Sequence, residues 1–170
     1  MARRAPEITC YRNIGELIQV DPSPPHRLVR SARAALLVCG GRVMKVLKES
    51  GVDASRYSQV VDMAGRAVIP GFVDCHTHLI FAGDRKDEME ERLQGASYQE
   101  ILKNGGGIHR TVAATREAKE ADLLRSARKR VQRMMALGTT AFEIKSGYGL
   151  DLDGELKMLR VGQRLKKDLN

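Results

Sequence analysis

Two imidazoles stand two positions apart, His76 and His78, at the end of the run Gly71-Phe-Val-Asp-Cys-His-Thr-His-Leu79. In a strand the side-chain period is two, so both rings leave one side and Thr77 leaves the other. Two neutral ring nitrogens converging from one strand end supply half of a four- or five-coordinate divalent metal site. Val68, Ile69, Phe72 and Val73 make the segment apolar, and Pro70-Gly71 gives it a tight entry without removing a ladder bond inside it. A bare H-x-H pair is as often an accident of an exposed strand. The Pro-Gly-apolar-apolar-Asp lead-in argues for the metal reading.

A hydrolytic zinc or iron site needs at least one more protein ligand and an open position for water. His109, after a triple glycine, and His26, in a Pro-rich turn, read as surface histidines. Glu143 and Lys145 share one face of a second strand. A lysine there can bridge as a carboxylated ligand or contact an anion, but more often it pairs with a carboxylate. Arg85, seven residues past His78, is suited to bidentate binding of a substrate carboxylate, although a surface arginine at a helix start would look the same. Tyr148, in the Gly-flanked loop Ser146-Gly-Tyr-Gly149, can offer its hydroxyl to a ligand beside the second strand.

Two kinds of element must hold these groups. Up to about Ala67 the chain reads as short strands and turns. Leu17–Val20 runs into the breaker cluster Asp21–Pro25, and Ala34–Cys39, Gly40-Gly41 and Arg42–Leu47 form a β-hairpin. Val60–Met63 and the turn Ala64-Gly65-Arg66 lead to the histidine strand. From Pro70 the rhythm becomes strand–helix. A charged helix is expected from about Lys86 to Leu93, and Ser97-Tyr-Gln-Glu100 has capping-box spacing before a short helix ending near Asn104-Gly105. Gly105–Gly107 must then be a loop, either a plain helix stop or a mobile segment near a ligand. Asp122 can cap a longer helix with Leu124, Ala127, Val131, Met134 and Met135 on one face, ending at Gly138. Thr139–Lys145 is the second strand, and Leu156, Leu159 and Val161 lie on a last helix; the Met and Leu positions of both helices are read as packing against a sheet.

Composition bounds the function classes. A chain of 170 residues can bury one core, or one small domain plus part of a larger one. No apolar stretch approaches the ~20 residues that span a bilayer. The start, Met1 to Glu7, has basic residues without a following apolar region, so no secretory signal is read. Three cysteines without C-x-x-C spacing read as reduced thiols, which suits a cytoplasmic protein. The net charge of +8 is densest at Arg125, Arg128, Lys129, Arg130 and Arg133. Acidic residues lie just upstream and no aromatic is interleaved, so this reads as a solvated helix face and not a nucleic-acid surface.

Pro70-Gly-Phe-Val-Asp-Cys-His-Thr-His78 resembles the first-strand signature of the metal-dependent amidohydrolase superfamily. The hairpin from Leu36 to Leu47 and Ala64-Gly65-Arg66 resemble the small β-sandwich part those enzymes carry before their barrel. More narrowly, Gly83-Asp-Arg85, Leu93–Tyr98, Gly105–Ile108, Gly138–Thr140, Glu143–Gly149 and Glu155–Arg160 are similar to the imidazolonepropionase family, in that family's order over residues 68 to 162. Residues 1 to 35 match only loosely.

The resemblance implies an α/β chain: a β-rich sandwich part over residues 1–69, then the first βα units of an incomplete (β/α)8 TIM-type barrel over residues 70–170. A whole barrel takes about 250 residues. The implied activity is that of a cytoplasmic hydrolase of carbon–nitrogen bonds in cyclic amides, opening 4-imidazolone-5-propanoate to N-formimino-L-glutamate in histidine degradation. One zinc or iron ion would polarise the ring carbonyl and generate the attacking hydroxide. His76 and His78 carry over as metal ligands, and Arg85, Tyr148 and Tyr98 as substrate-binding residues. No catalytic residue carries over. In the family a third metal-binding His, a proton-handling Glu, a substrate-binding His and a metal-binding Asp lie further along, whereas this sequence stops at Asn170. The 170-residue chain is therefore expected to be a fragment, inactive alone. The expected partner is the small-molecule substrate, with no nucleic acid and no membrane, and with room for a homodimer in the full-length enzyme. Two alternatives stay open: another cyclic amidohydrolase or deaminase of the superfamily, and a non-catalytic fragment that associates with a partner chain.

Overall fold

A computed structural model describes residues 7–169, so the basic start at residues 1–6, and with it most of the signal-peptide reading, lies outside the described residues. The chain divides into two compact units, one through Pro70 and one from Gly71. No helix among the described residues is long and apolar enough to cross a membrane.

The first unit is built on a long strand, β1 (Ile8–Val20), between β2 (Leu28–Cys39), β4 (Gln59–Asp62) and β5 (Ala67–Val68), with β3 (Arg42–Lys48) outside β2. β1–β2 and β2–β3 are antiparallel, while β4 and β5 run parallel to β1, which makes the sheet mixed. The hairpin turn forms where Gly40 and Gly41 take φ of 55° and 73°, the left-handed values that a two-residue turn of matching twist demands. By hydrogen bonding this unit is one sheet, with Ile14, Leu17 and Ala34 buried at its centre.

The second unit has the strand–helix rhythm. A parallel pair, β6 (Phe72–Thr77) and β7 (Thr139–Ile144), is separated in sequence by α1 (Lys86–Leu93), α2 (Tyr98–Lys103), α3 (Ile108–Glu117) and α4 (Glu120–Ala136), and α5 (Leu152–Leu169) follows β7. Ser97 and Glu100 form the expected capping box at the start of α2. Gly138, at φ 95°, stops α4. Three readings are corrected. Asp122 lies inside the first turn of α4, whose N-cap is Lys119, so its carboxylate complements the helix start without capping it. Met135 is 54% exposed, because the buried face of α4 is Leu123, Leu124, Ala127 and Val131. On α5 the inward stripe is Gly154, Met158, Val161 and Leu165; Leu156 and Leu159 stand off it and are exposed. These faces close over Leu79 and Ile80 to make the core. Full burial of each such side chain stabilises by roughly 1.5–3 kcal/mol.

The two strands do not pair evenly. Partners run Phe72 with Thr139, Val73 with Ala141, Asp74 with Phe142, and Thr77 with Ile144. Thr140 is therefore an extra residue on β7, and Cys75-His76 contains an extra residue on β6. The second irregularity cancels the first. Gly71 accommodates the β7 bulge, since a Cβ there would stand 2.2 Å from Thr140 Oγ1.

Candidate metal centre

The bulge on β6 falls at Cys75-His76, and bulges re-aim side chains. Asp74 Oδ1 accepts the His76 backbone N–H at 3.2 Å. Thr77 ends the strand, donates its hydroxyl to the Glu143 carbonyl and accepts the Lys145 N–H at 2.8 Å. His78 lies one residue beyond. The two imidazoles come together edge to face, with ring centroids 5.3 Å apart. His76 is exposed and His78 half-buried. His78 Nδ1 is a buried polar atom with no hydrogen-bond partner. A buried nitrogen left without a partner costs about 1–3 kcal/mol, a cost that a ligand removes.

Tyr148 completes this cluster. Its half-buried ring packs against His78 at 5.4 Å between centroids and against Phe81 at 5.7 Å. The loop carrying it is held from α5: Glu155 Oε1 accepts the N–H groups of Gly149 and Leu150, each at 2.8 Å. Burial works against the charge on Glu155, but hydrogen bonds from Ser146 and the backbone of Leu150, Gly149 and Gly147 outweigh it and hold this carboxyl below its ordinary range. Gly147, at φ 139°, touches the centre directly, since a Cβ there would lie 3.0 Å from His78 Cε1.

Arg130 was missed as anything but part of a solvated basic face. Its neighbours behave as expected, Arg128 pairing with Asp168 at 2.6 Å and Arg125 with Asp122. Arg130 instead turns inward. Its Nη1 donates to the carbonyls of Leu79 at 2.8 Å and Phe81 at 3.1 Å, and its guanidinium carbon sits 3.6 Å from the Phe81 ring centroid. Burial pushes this guanidinium below its ordinary pKa. It thus fixes the backbone immediately after His78 and the ring against Tyr148. The available signal was helical spacing: Leu123, Ala127, Arg130 and Met134 fall on one face of α4.

The other sequence candidates are exposed or make contacts of their own. Lys145 pairs with Glu143 at 3.6 Å. His26 and His109 are exposed. Arg85 precedes α1 with its side chain 40% exposed and Nη1 4.0 Å from Glu88 Oε2. Tyr98 begins α2, and its hydroxyl lies near Gly107, 3.6 Å from where a Cβ would be. Among the described residues no three His, Cys, Asp or Glu side chains gather into a metal-holding group. A groove of about 640 Å³ runs between β7 and α5 past Ile80, Phe142 and Leu159 and is not lined by either histidine.

Comparison with known proteins follows the same line. No family model matches the chain. It is 47% identical over 167 residues to the imidazolonepropionase of Klebsiella pneumoniae, covering 97% of this chain and 40% of that protein. It is 52% identical over 136 residues to that of Pseudomonas fluorescens, covering 80% of this chain and 34% of that protein. The chain thus spans about two fifths or less of the length of the curated relatives it matches. Among solved structures, a triazine hydrolase from Arthobacter aurescens superposes with TM-score 0.58 at 18% identity over 94% of this chain and 34% of that one. Guanine deaminase from C. acetobutylicum does so with TM-score 0.51 at 15% identity, over 93% and 34%. These superpositions carry the fold alone. The resemblance to imidazolonepropionase holds along nearly the whole chain.

Proposed function

We propose that this chain forms the metal-ligand and substrate-binding front of an imidazolonepropionase, a hydrolase that opens 4-imidazolone-5-propanoate to N-formimino-L-glutamate in the cytoplasm. The residues fit a metal as its first two ligands. His76 and His78 present neighbouring imidazoles, and the buried, unpartnered Nδ1 of His78 is the observation that carries the reading. A bound zinc or iron ion would supply Lewis acidity toward the ring carbonyl and a lowered pKa for water.

The chain's own residues supply binding and orientation. Tyr148, packed on His78, lines the side of the centre from which its hydroxyl can reach a ligand. Arg85 offers guanidinium N–H donors to the propanoate carboxylate, with Tyr98 nearby on α2 as a further contact. The strand–helix unit from Gly71 is read as the opening βα units of a (β/α)8 barrel, with the ligands gathered at the C-terminal end of β6 as such barrels require. The mixed sheet before it is read as the β-sandwich part. The groups that move the proton and complete the metal site are expected from the rest of a full-length enzyme.

The test is metal-dependent hydrolysis of 4-imidazolone-5-propanoate by the full-length protein. His78→Ala should abolish turnover and bound metal together. Undiminished activity after thorough metal removal would overturn the proposal. A neutral cyclic amide or aminated ring as the true substrate would show itself through indifference to Arg85→Gln.

A further inference from the structure

Glu88 is the one buried residue of the polar helix α1, only 8% exposed, and the chemistry proposed above does not use it. A carboxylate held that deep needs partners. Its two oxygens divide the work. Oε1 accepts the Gly107 N–H at 2.8 Å, while Oε2 faces Arg85 Nη1 at 4.0 Å. Arg110, the other guanidinium on this side, is engaged by Asp87 at 2.6 Å. The triple glycine is docked by the same carboxylate. A Cβ on Gly106 would stand 2.7 Å from Ile101 Cγ2 and 3.1 Å from Glu88 Oε1, and Gly107 takes φ 65°. The Tyr98 hydroxyl is the next polar group along, 3.6 Å from the Cβ position of Gly107.

We propose that Glu88 is the positioning residue of the substrate-carboxylate subsite, docking the glycine loop beside Tyr98 with one oxygen and aiming Arg85 with the other. The proposal rests on the assignment of Arg85 as a substrate contact. Charge attraction at 4.0 Å, without a short hydrogen bond, orients the guanidinium through one nitrogen and leaves its other N–H donors for an incoming carboxylate. A bidentate pair would have occupied one edge of the fork. The same carboxylate makes loop order and guanidinium direction interdependent, so the subsite is assembled before ligand arrives.

The experiment uses nitrogen-15 NMR on the 170-residue chain, with propanoate as the probe. Glu88→Gln keeps an acceptor for the Gly107 N–H but removes the charge facing Arg85. The Gly107 amide signal should stay near its original position. The Arg85 Nε–H exchange should quicken about threefold, and propanoate should perturb Arg85 with affinity about threefold weaker, the scale of a partly exposed ion pair. Unchanged exchange at Arg85 overturns the proposal, whatever propanoate does. If wild-type Arg85 ignores propanoate while its exchange still depends on Glu88, the substrate role of Arg85 falls and the aiming by Glu88 stands. Should Glu88→Gln not fold, the wild type decides: exchange at Arg85 no slower than at Arg92 in α1 overturns it.

Discussion

Replacing Arg130 by Met tests whether one arginine of a basic run is a structural fastener. Methionine keeps much of the apolar stem, so the change removes the guanidinium with little loss of packing. Two charge-assisted bonds to the Leu79 and Phe81 carbonyls disappear, together with the stacking on Phe81. Bonds from a charged donor contribute roughly 1.5–3 kcal/mol each when buried, and a partly exposed cation–π contact about 0.5–1 kcal/mol. Arg130 is only half-buried and water recovers part of this, so a net loss of about 2–3 kcal/mol is expected. Arg128→Met is the internal control on the same helix: its pair with Asp168 is exposed and is expected to contribute under ~1 kcal/mol. Urea unfolding followed by circular dichroism reads both variants, and with slopes of ~1–3 kcal/mol per molar the Arg130 midpoint should fall by about 1 M. Equal unfolding free energies for the two variants, within about 0.5 kcal/mol, would refute the inward role of Arg130.

Three further outcomes follow from the same geometry. Gly147→Ala places a Cβ 3.0 Å from His78 Cε1 at φ 139°, so zinc affinity measured by titration calorimetry should fall about tenfold in a chain that still folds. Gly71→Val should disrupt the β6–β7 pair, because a side chain there overlaps Thr140; loss of amide-exchange protection at Phe72 would register it. Glu155 has a depressed carboxyl pKa, so its contribution is present above its unfolded value near 4.5 and is lost as pH falls through the lower folded value. The Tyr148 loop should therefore loosen in acid below about pH 4.5, seen as faster amide exchange, and Glu155→Gln should flatten that dependence.

Much of the scaffold was legible because it rests on local rules. The hairpin at Gly40-Gly41, the span of α1 and the capping box at Ser97 each follow from residues adjacent in sequence. The histidine pair was legible for the same reason, since one strand end carries both rings. What stayed hidden depends on partners distant along the chain. The exposed position of Leu159 follows from which side of α5 meets Ile80, and the inward turn of Arg130 follows from the carbonyls that Leu79 and Phe81 leave open. Glu88 looks like one of many acids in a charged helix until Gly107, nineteen residues later, comes back to it.

The paired irregularities of β6 and β7 limit how this sequence can change in length. Because the extra residue at Thr140 is answered by the one at Cys75-His76, deleting either alone leaves the strands one position out of step beyond that point. A deletion at Thr140 would slide Ile144 and the loop bearing Tyr148 away from Thr77 and His78. A deletion at Cys75 would turn the histidines themselves. Only a matched pair of deletions, sixty-odd residues apart, preserves the meeting of His78 and Tyr148, so descendants of this chain should lose or keep both together.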